Sequence, residues 1–578
     1  MTKPHRSRAA PLLLTLFLAA ACGDGGERTP RAEAMAGGPF CEAAMTRVNE
    51  YMAAATAETP VPEDPAYGGA AVVGGITDLI RGMNALQTVD INASQYQQFV
   101  NLMTLIQVDR ELEPTPYLAE SWTVSEDGTS LTFRLRDDVY WHDGERTDAY
   151  DVAFTYLRAT DPETAFPNAA FFRWYVPGEA GVEVEDSLTV TFRMEPHSEV
   201  LDPWRALAIM PRHLLEDVPP SELASHPFGT VCPVGNGPFV FLAHRPDESW
   251  IFEANPAFPA ELGGRPFLDR LVYRVVPEQT TLLTELLTGS VDVYVDMRPD
   301  QAAVVMESDD ADVLTMDARS YTFVAWNSRR AELADPRVRQ ALTLAIDRSA
   351  VVDALLRGYG TLARTGIPPY HWAYDPEMDG LDYDPARART LLTEAGWTDR
   401  DGDGVRENAD GLPLELVLIF NAANQDRRTI AELMQAQLRE VGVELTPEPL
   451  EAGTMAARAT DPERRDFDGL ILEWFPEFRV DETDLFAGSR VDSDYAFAGL
   501  QDREIDRLLD RLQVELDRGV ARPLWERYQR RIVELQPFTY FYYAQRLAGV
   551  SRRLRGVEMD FRGEWSSVRD WRIDPAER

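Results

Sequence analysis

Apolar and polar residues alternate with a two-residue period in several short segments of the chain. Residues 131–135 read Leu-Thr-Phe-Arg-Leu, the pattern of a strand that buries one face and exposes the other. The segment 188–194 repeats this alternation, with Leu, Val, Phe and Met at every second position. A strand is also predicted at 323–327, and the aromatic run 538–543 predicts a buried strand.

Other segments place their apolar residues three and four positions apart, as one face of a helix requires. The clearest begins at Asp335, which can cap a helix that has Pro336 at its first position. Its buried face would hold Val338, Ala341, Leu342, Ala345 and Ile346. The same spacing predicts helices at 149–156, 280–287, 430–441, 504–516 and 523–535. Strands and helices together predict an α/β protein.

The composition of the chain excludes several classes of function. The 578 residues suffice for two or three domains, and the formal net charge of −39 would repel nucleic acid and anionic membranes. Lys3 is the only lysine, which excludes P-loop hydrolysis and Schiff-base chemistry. The sequence has neither an HExxH pair nor a GxSxG elbow. We therefore expect a binding protein rather than an enzyme, with an exported carboxylate hydrolase as a minor alternative.

The first 22 residues predict export. Basic residues precede an apolar run at 11–18, and three alanines then lead to Cys22. This order is typical of a bacterial lipoprotein signal spanning 1–21, after which Cys22 would carry the lipid; a plain secretory signal cleaved near Ala21 is the alternative. The sequence contains no apolar run of 18 residues, so we expect contact with the membrane only through the lipid.

An acidic loop at 399–410 offers a possible metal site. Residues 399–404 read D-x-D-x-D-G, and further acids stand at the ninth and twelfth places of a calcium-loop template. Carboxylates at this spacing suit a hard cation. The candidate ligands are Asp399, Asp401, Asp403 and Asp410, with Glu407 at the ninth place. The expected role is structural, with an acidic hairpin as the alternative, and no cofactor is required.

Three motifs carry a family resemblance. Residues 118–156 contain LAESW, a strand, W-H-D-G and the helix opening Asp148-Ala149-Tyr150-Asp151-Val152; G-N-G-P-F follows at 235–239 and D-P-R-V-R-Q-A at 335–341. In this order they resemble the extracellular solute-binding proteins of family 5, which serve peptide-type ABC importers. The resemblance covers about residues 68–560.

The resemblance implies a type II periplasmic-binding-protein-like α/β fold. We expect two lobes joined by a hinge, with an extra inserted domain. The predicted segments are the tether and N-terminal extension at 22–64, lobe I at 65–117, 225–320 and 536–578, inserted domain II at 118–224, and lobe II at 321–535. Cys41 and Cys232 would form a disulfide in the oxidising exterior and attach the extension to lobe I, although both could stay unpaired.

The resemblance also implies a ligand site. Peptide-binding relatives end a strand with G-W-x-x-D, whose acid pairs with the peptide's α-amino group; aligning Trp474 with that Trp puts Glu477 at the acid position. The predicted ligand-binding residues are Asn92, Ser94, His371, Trp372, Trp474, Phe475, Glu477 and Phe478. Asn92 or Ser94 would also cap a helix. We expect a monomer that binds a peptide by hinge closure and delivers it to an ABC permease; an oligosaccharide stacked on Trp474, Phe475 and Trp372 is the alternative.

Overall fold

The computed structural model describes residues 37–79, 81–88, 90–461, 465–476 and 480–577. Cys22, Glu477 and Phe478 lie outside this part of the chain. The strands in the described residues are β1 Ala70–Gly75, β2 Ile106–Val108, β3 Pro114–Pro116, β4 Ala119–Val124, β5 Ser130–Leu135, β6 Val182–Asp186, β7 Thr189–Arg193, β8 Phe239–Arg245, β9 Ser249–Ala254, β10 Arg270–Val275, β11 Val293–Tyr294, β12 Ala311–Trp326, β13 Gly360–Leu362, β14 Glu415–Asn421, β15 Glu444–Leu450, β16 Gly469–Trp474, β17 Phe538–Ser551, β18 Leu554–Arg555 and β19 Arg572–Ile573.

The α-helices range from single turns to 21 residues. They are α1 Gly38–Glu58, α2 Ile91–Tyr96, α3 Ala149–Thr160, α4 Ala169–Arg173, α5 Pro203–Ala206, α6 Arg212–Leu215, α7 Gln279–Leu287, α8 Pro299–Met306, α9 Pro336–Leu344, α10 Arg348–Leu356, α11 Pro385–Glu394, α12 Gln425–Glu440, α13 Ala452–Thr460, α14 Thr483–Phe486, α15 Arg503–Leu512 and α16 Arg518–Leu535. A π-helical turn, Gln97–Asn101, continues α2.

Two long antiparallel strands, β12 and β17, run through the centre of the main sheet. The strand order is β15-β14-β16-β12-β17-β11-β1-β10-β9-β8, and β13 pairs with β17 off this path. We call the side with β1 and β8 to β11 lobe I, and the side with β14 to β16 lobe II. The β12–β17 register shifts between Asp317 and Tyr321, and such irregularities bend a strand pair.

A second sheet of order β4-β5-β7-β6 lies within the segment predicted to form the inserted domain. The alternation of residues 131–135 is confirmed here, since Leu131, Phe133 and Leu135 of β5 are buried. They share one apolar core with Val73 of β1 and Leu271 of β10. Lobe II has separate cores on the two faces of its sheet.

The W-H-D-G motif and the start of α3 are joined around Asp151. Asp148 caps α3, and its side chain and that of Asp151 form a reciprocal capping box. The Trp141 indole N–H donates to Asp151 at 3.0 Å, and the backbone N–H of Arg212 donates to its other oxygen at 2.9 Å. Burial raises the pKa of Asp151 to about 6. The motif therefore stabilises the inserted segment rather than contacting a ligand.

Three helix starts differ from the prediction. Helix α12 begins at Gln425, five residues before the predicted 430, because the Asn424 side chain caps it by accepting from the backbone N–H of Arg427. Helix α16 begins at Arg518, five residues before the predicted Pro523, because the Asp517 side chain caps it by accepting from the backbone N–H of Gly519. Helix α2 is capped by Asp90, whose carboxylate accepts from the backbone N–H groups of Asn92 and the residue after it. Neither Asn92 nor Ser94 is the capping residue.

The N-terminal helix α1 is attached to the rest of the molecule. The structure joins Cys41 and Cys232 by a disulfide, with 5.4 Å between their Cα atoms. Further along α1, the Arg47 guanidinium donates to the Asp143 carboxylate, which also contacts His213 Nε2 at 3.0 Å. His213 and Arg47 lower the pKa of Asp143 against the opposing effect of its burial. Among the described helices, none is long and apolar enough to cross a membrane.

Candidate functional site

Two adjoining cavities lie between the lobes. The larger has a volume of about 750 Å³ and the smaller about 420 Å³, the size range of small-molecule sites. Five residues line both cavities, which therefore form one continuous cleft: Ser94, Asn168, Ala206, Phe475 and Pro476. Phe475 directly follows β16 of lobe II, whereas Ser94 belongs to α2 on the lobe I side.

The larger cavity, which we call the charged cavity, is lined by residues of both lobes and of the two central strands, β12 and β17. Its wall includes Asp317, Arg319 and Ser320, which lie at the register shift of β12. Because the ladder is interrupted there, these side chains depart from the regular alternation of the strand. Arg546 of the paired strand β17 reaches the same cavity.

Three of the four arginines that line the charged cavity in the described chain donate to carboxylates. The Arg546 Nε donates to Asp296 at 2.8 Å, and Arg562 donates to Asp560 at 2.7 Å. Arg205 donates to the carboxylate of Asp202 at 2.7 Å. Charge-assisted pairs of this kind fix the direction of each guanidinium. They therefore give the cavity a preformed polar wall for the backbone and charged groups of a solute.

The smaller cavity, which we call the aromatic cavity, combines rings with acids. The rings belong to Phe166, Phe171, Phe172, Trp174, Trp474, Phe475 and Tyr495. Three acids, Asp481, Glu482 and Asp484, line it together with Arg490. Trp474 and Tyr495 contact edge to face, with ring centroids 5.3 Å apart, a favoured arrangement for aromatic pairs.

Glu482 is the buried acid of this cavity, with 4% of its surface exposed. The Tyr528 hydroxyl donates to its carboxylate at 2.5 Å. Burial raises the pKa of Glu482 to about 7, while the bond from Tyr528 acts in the opposite direction. Glu482 can therefore change its charge near neutral pH.

The structure brings together some of the predicted ligand residues. Trp474, Phe475 and Ser94 line the cleft, but Asn92 lines neither cavity. The predicted acid Glu477 and the neighbouring Phe478 lie outside the described residues.

His371 and Trp372 lie away from both large cavities, at the junction between the lobes. His371 is buried, and its Nδ1 accepts from the backbone N–H of Ala373 at 3.1 Å. The Arg518 guanidinium lies over the Trp372 ring, 5.4 Å from its centroid. The small cavity that both residues line has a volume of about 10 Å³, too small for a solute. This loop was expected at the ligand because of its aromatics, but here its rings pack between the lobes.

Sequence reasoning missed Asn168, Glu482 and the charged residues at the β12 register shift. No motif marks them, because their place in the cleft depends on a strand irregularity and on loops that come from distant parts of the chain. Glu482 carried no local signal either, since its neighbours in the sequence are Asp481, Thr483 and Asp484.

The predicted calcium loop forms a compact acidic turn. Potential ligand oxygens of Asp399, Asp401, Asp403 and Glu407 lie within 4.8 Å of one another. Asp410 is not a member of this group; its backbone N–H bonds to Asn408 in the following turn. The prediction of Asp410 as a ligand thus differs from the structure, because the chain turns away after Glu407 and brings Glu407 back toward Arg400.

The chain is similar in sequence and in fold to other proteins. The Bacillus subtilis oligopeptide-binding protein AppA is 26% identical over 88% of this chain and 92% of its own length. Its solved structure in complex with a nonapeptide covers 88% of this chain and 100% of that one, with a TM-score of 0.71. Heme-binding protein A of Haemophilus influenzae is 28% identical over 65% of this chain and 69% of its own.

The sequence model of one family matches residues 113–490, which is more than half of the chain. This match includes all four strands of the inserted sheet, the central strand β12 and the lobe II strand β16 that leads into the cleft. The two-lobed fold and the cleft between the lobes agree with this assignment. The chain therefore belongs to the bacterial extracellular solute-binding proteins of family 5.

Proposed function

We propose that this protein is the extracytoplasmic receptor of an ABC importer and that its solute is a peptide. The observation that carries the proposal is the continuous cleft between the lobes, which has a polar wall for a peptide backbone and an aromatic wall for side chains. The relative AppA, bound to a nonapeptide, supports a peptide. The proposed role is capture and delivery, with no chemical change to the solute.

Closure of the lobes couples binding to transport in this proposal. A solute that contacts both walls gains its full binding energy only when the lobes are together, so it shifts the population toward the closed form. A permease in the membrane that recognises the closed form would then accept loaded receptors only. A single chain supplies both walls of the cleft, so the proposed working unit is a monomer.

The N-terminal segment would attach the protein to a membrane outside the cytoplasm. We propose that Cys22 carries a lipid and that residues 23–38 tether the folded part to the membrane. The disulfide between Cys41 and Cys232 suits an oxidising compartment outside the cytoplasm.

A thermal-shift screen tests the peptide proposal. Pools of peptides of two to nine residues should raise the melting temperature, because a ligand at about a hundred times its Kd adds about 2.7 kcal/mol of stability. Phe475 is 62% exposed and lines both cavities, so Phe475→Ala should reduce the shift without destabilising the fold. Leu412→Ala, at a site 58% exposed and away from the cleft, is the control. Stabilisation by heme or oligosaccharides but by no peptide would contradict the proposal.

We also propose that the loop at 399–407 binds calcium as a structural ion. Its support is the convergence of the four carboxylates, since calcium prefers several oxygen ligands. Millimolar calcium should raise the melting temperature, and magnesium at the same concentration should raise it less. Asp401→Asn should abolish the calcium effect, whereas Asp410→Asn should retain it. Equal responses of the two variants would contradict the assignment.

A further inference from the structure

We infer that the aromatic cavity is a subsite for a cationic side chain, so that the preferred solutes are peptides containing arginine or lysine. This inference rests on the proposed peptide-binding function and adds a ligand class to it. It depends on three observations: exposed rings, an excess of acids, and the charge of the whole molecule.

Two rings at the mouth of the aromatic cavity are unusually exposed for their residue type. Trp174 is 49% exposed and Phe475 62%, whereas Tyr495, at 45%, is about as exposed as Tyr150 at 46%. No other tryptophan or phenylalanine of the described chain is more than about a third exposed. Exposed aromatic surface is costly in water unless a ligand covers it, and the faces of such rings attract a guanidinium or ammonium group. The rings therefore suit a side chain that is both long and positively charged.

Acids outnumber bases among the described residues of this cavity. Asp481, Glu482 and Asp484 line it, with Arg490 and His197 as the basic residues. Burial raises the pKa of Glu482 to about 7, so its carboxyl carries only part of a charge near neutral pH, whereas Asp481 and Asp484 are exposed. Arg490 lies 3.7 Å from the Asp484 carboxylate and compensates part of this charge. A carboxylate can accept from more than one donor, so a cationic group entering between the rings would gain charge-assisted hydrogen bonds to these acids at short range. An acidic side chain would be repelled there.

The charged cavity does not reverse this preference. Its described lining contains four arginines, at 205, 319, 546 and 562, and five acids, at 90, 296, 317, 473 and 560. The arginines at 205, 546 and 562 are each bonded to a carboxylate, so the cavity carries no excess of positive charge. The chain as a whole has a net charge of −39, which attracts cationic solutes and raises their rate of encounter. Local and overall charge thus favour the same class of peptide.

A peptide series tests the inference. Pentaalanine peptides carrying one substitution, at each position in turn, should be titrated by calorimetry with arginine, citrulline, leucine or glutamate as the substituted residue. Citrulline has nearly the shape of arginine without its charge. We expect the best arginine peptide to bind about tenfold or more tightly than its citrulline counterpart, from cation–π and carboxylate contacts together, and the glutamate peptide to bind most weakly.

Two variants test whether the preference for arginine arises in the aromatic cavity. Tyr495→Leu removes a ring that lines the aromatic cavity, and Tyr383→Leu removes a ring of similar exposure, 43%, away from both cavities. The preference for arginine over citrulline should fall to less than about threefold in Tyr495→Leu, since the cation–π contact is lost, and should persist in Tyr383→Leu. Equal affinities of the wild-type protein for arginine and citrulline peptides would overturn the inference but leave peptide binding intact. Failure of every peptide in the series to bind would overturn the proposed function as well.

Discussion

Replacing Arg518 with alanine is expected to weaken solute binding about tenfold or more, although Arg518 lies outside both large cavities. Arg518 begins α16 of lobe II, and its guanidinium donates to Glu199 at 2.8 and 2.9 Å and to Glu113 at 2.7 Å. It also donates to the carbonyl oxygen of Leu112 at 3.2 Å. All three partners belong to the part of the chain that packs with lobe I, so one side chain joins the two lobes.

The size of the effect follows from the number of bonds. Hydrogen bonds that involve charged groups contribute about 1.5–3 kcal/mol each when largely desolvated, and Arg518 is only partly exposed. Solvent reduces each contribution, so we assign about 1.5–3 kcal/mol to the group as a whole. An opening of the lobes would break these bonds. The substitution would therefore destabilise the closed form alone by about 1.5–3 kcal/mol, and this loss raises the apparent Kd about tenfold or more.

Dissociation kinetics check this prediction. Arg518→Ala should mainly accelerate release of the solute. The hydrogen bonds of Arg518 stabilise the closed form only, so their loss does not affect the open form that first meets the solute. Arg522→Ala is the matched control, since Arg522 lies on the same helix and, within the part of the chain that the structure describes, forms its ion pair with Glu526, one turn further on. Unchanged affinity of Arg518→Ala, or an equal loss in both variants, would show that Arg518 does not stabilise closure.

Replacing Glu482 with glutamine is expected to stabilise the fold by up to about 3 kcal/mol at pH 8 and to have little effect near pH 4. The pKa of Glu482 rises from its usual 4.5 to about 7 because the carboxyl is fully buried. Below pH 4.5 the group is uncharged in both the folded and the unfolded chain. Between pH 4.5 and 7 the unfolded chain releases the proton first, which favours unfolding progressively. Each pKa unit is worth about 1.4 kcal/mol.

Glutamine does not titrate, and its carbonyl oxygen can still accept the bond from Tyr528. The melting temperature of Glu482→Gln should therefore exceed that of the wild type at pH 8, and the difference should shrink as the pH falls to 4. Glu432→Gln, which replaces an exposed acid on α12, serves as the control and should show no such trend. A difference that is independent of pH would mean that Glu482 ionises normally in the folded protein.

The sequence predicted those parts of the fold that depend on local pattern. The alternation in β5, the capping of α9 by Asp335 and the face of α9 that packs inward all agree with the structure. Each of these features depends on contacts between residues that are close in sequence. Such contacts require apolar or capping residues at regular spacings, which can be recognised in the sequence. The start of α16 was predicted wrongly because Pro523 was taken as the first residue, whereas Asp517 provides a better cap.

The site was predictable only where a motif marks it. Trp474 and Phe475 were predicted because they align with the G-W-x-x-D motif of peptide-binding relatives, and the structure places both in the lining of the cleft. Asp317 and Arg319 were not found, since only the register shift between β12 and β17 turns that segment to the cavity. Glu482 and Arg518 act through partners far away in sequence, such as Tyr528 for Glu482 and Glu199 for Arg518. Pairs of residues that are far apart in sequence produce no regular pattern from which they could be predicted.

Hydrogen–deuterium exchange tests most directly whether a peptide occupies the cleft between the lobes. The purified chain should be compared with and without a saturating mixture of oligopeptides. We expect slower exchange in segments from both sides of the cleft, at 90–108 and 166–175 and also at 473–476 and 480–484, because binding and closure suppress local opening there. Exchange that is unchanged, or slowed in one lobe only, would contradict this expectation.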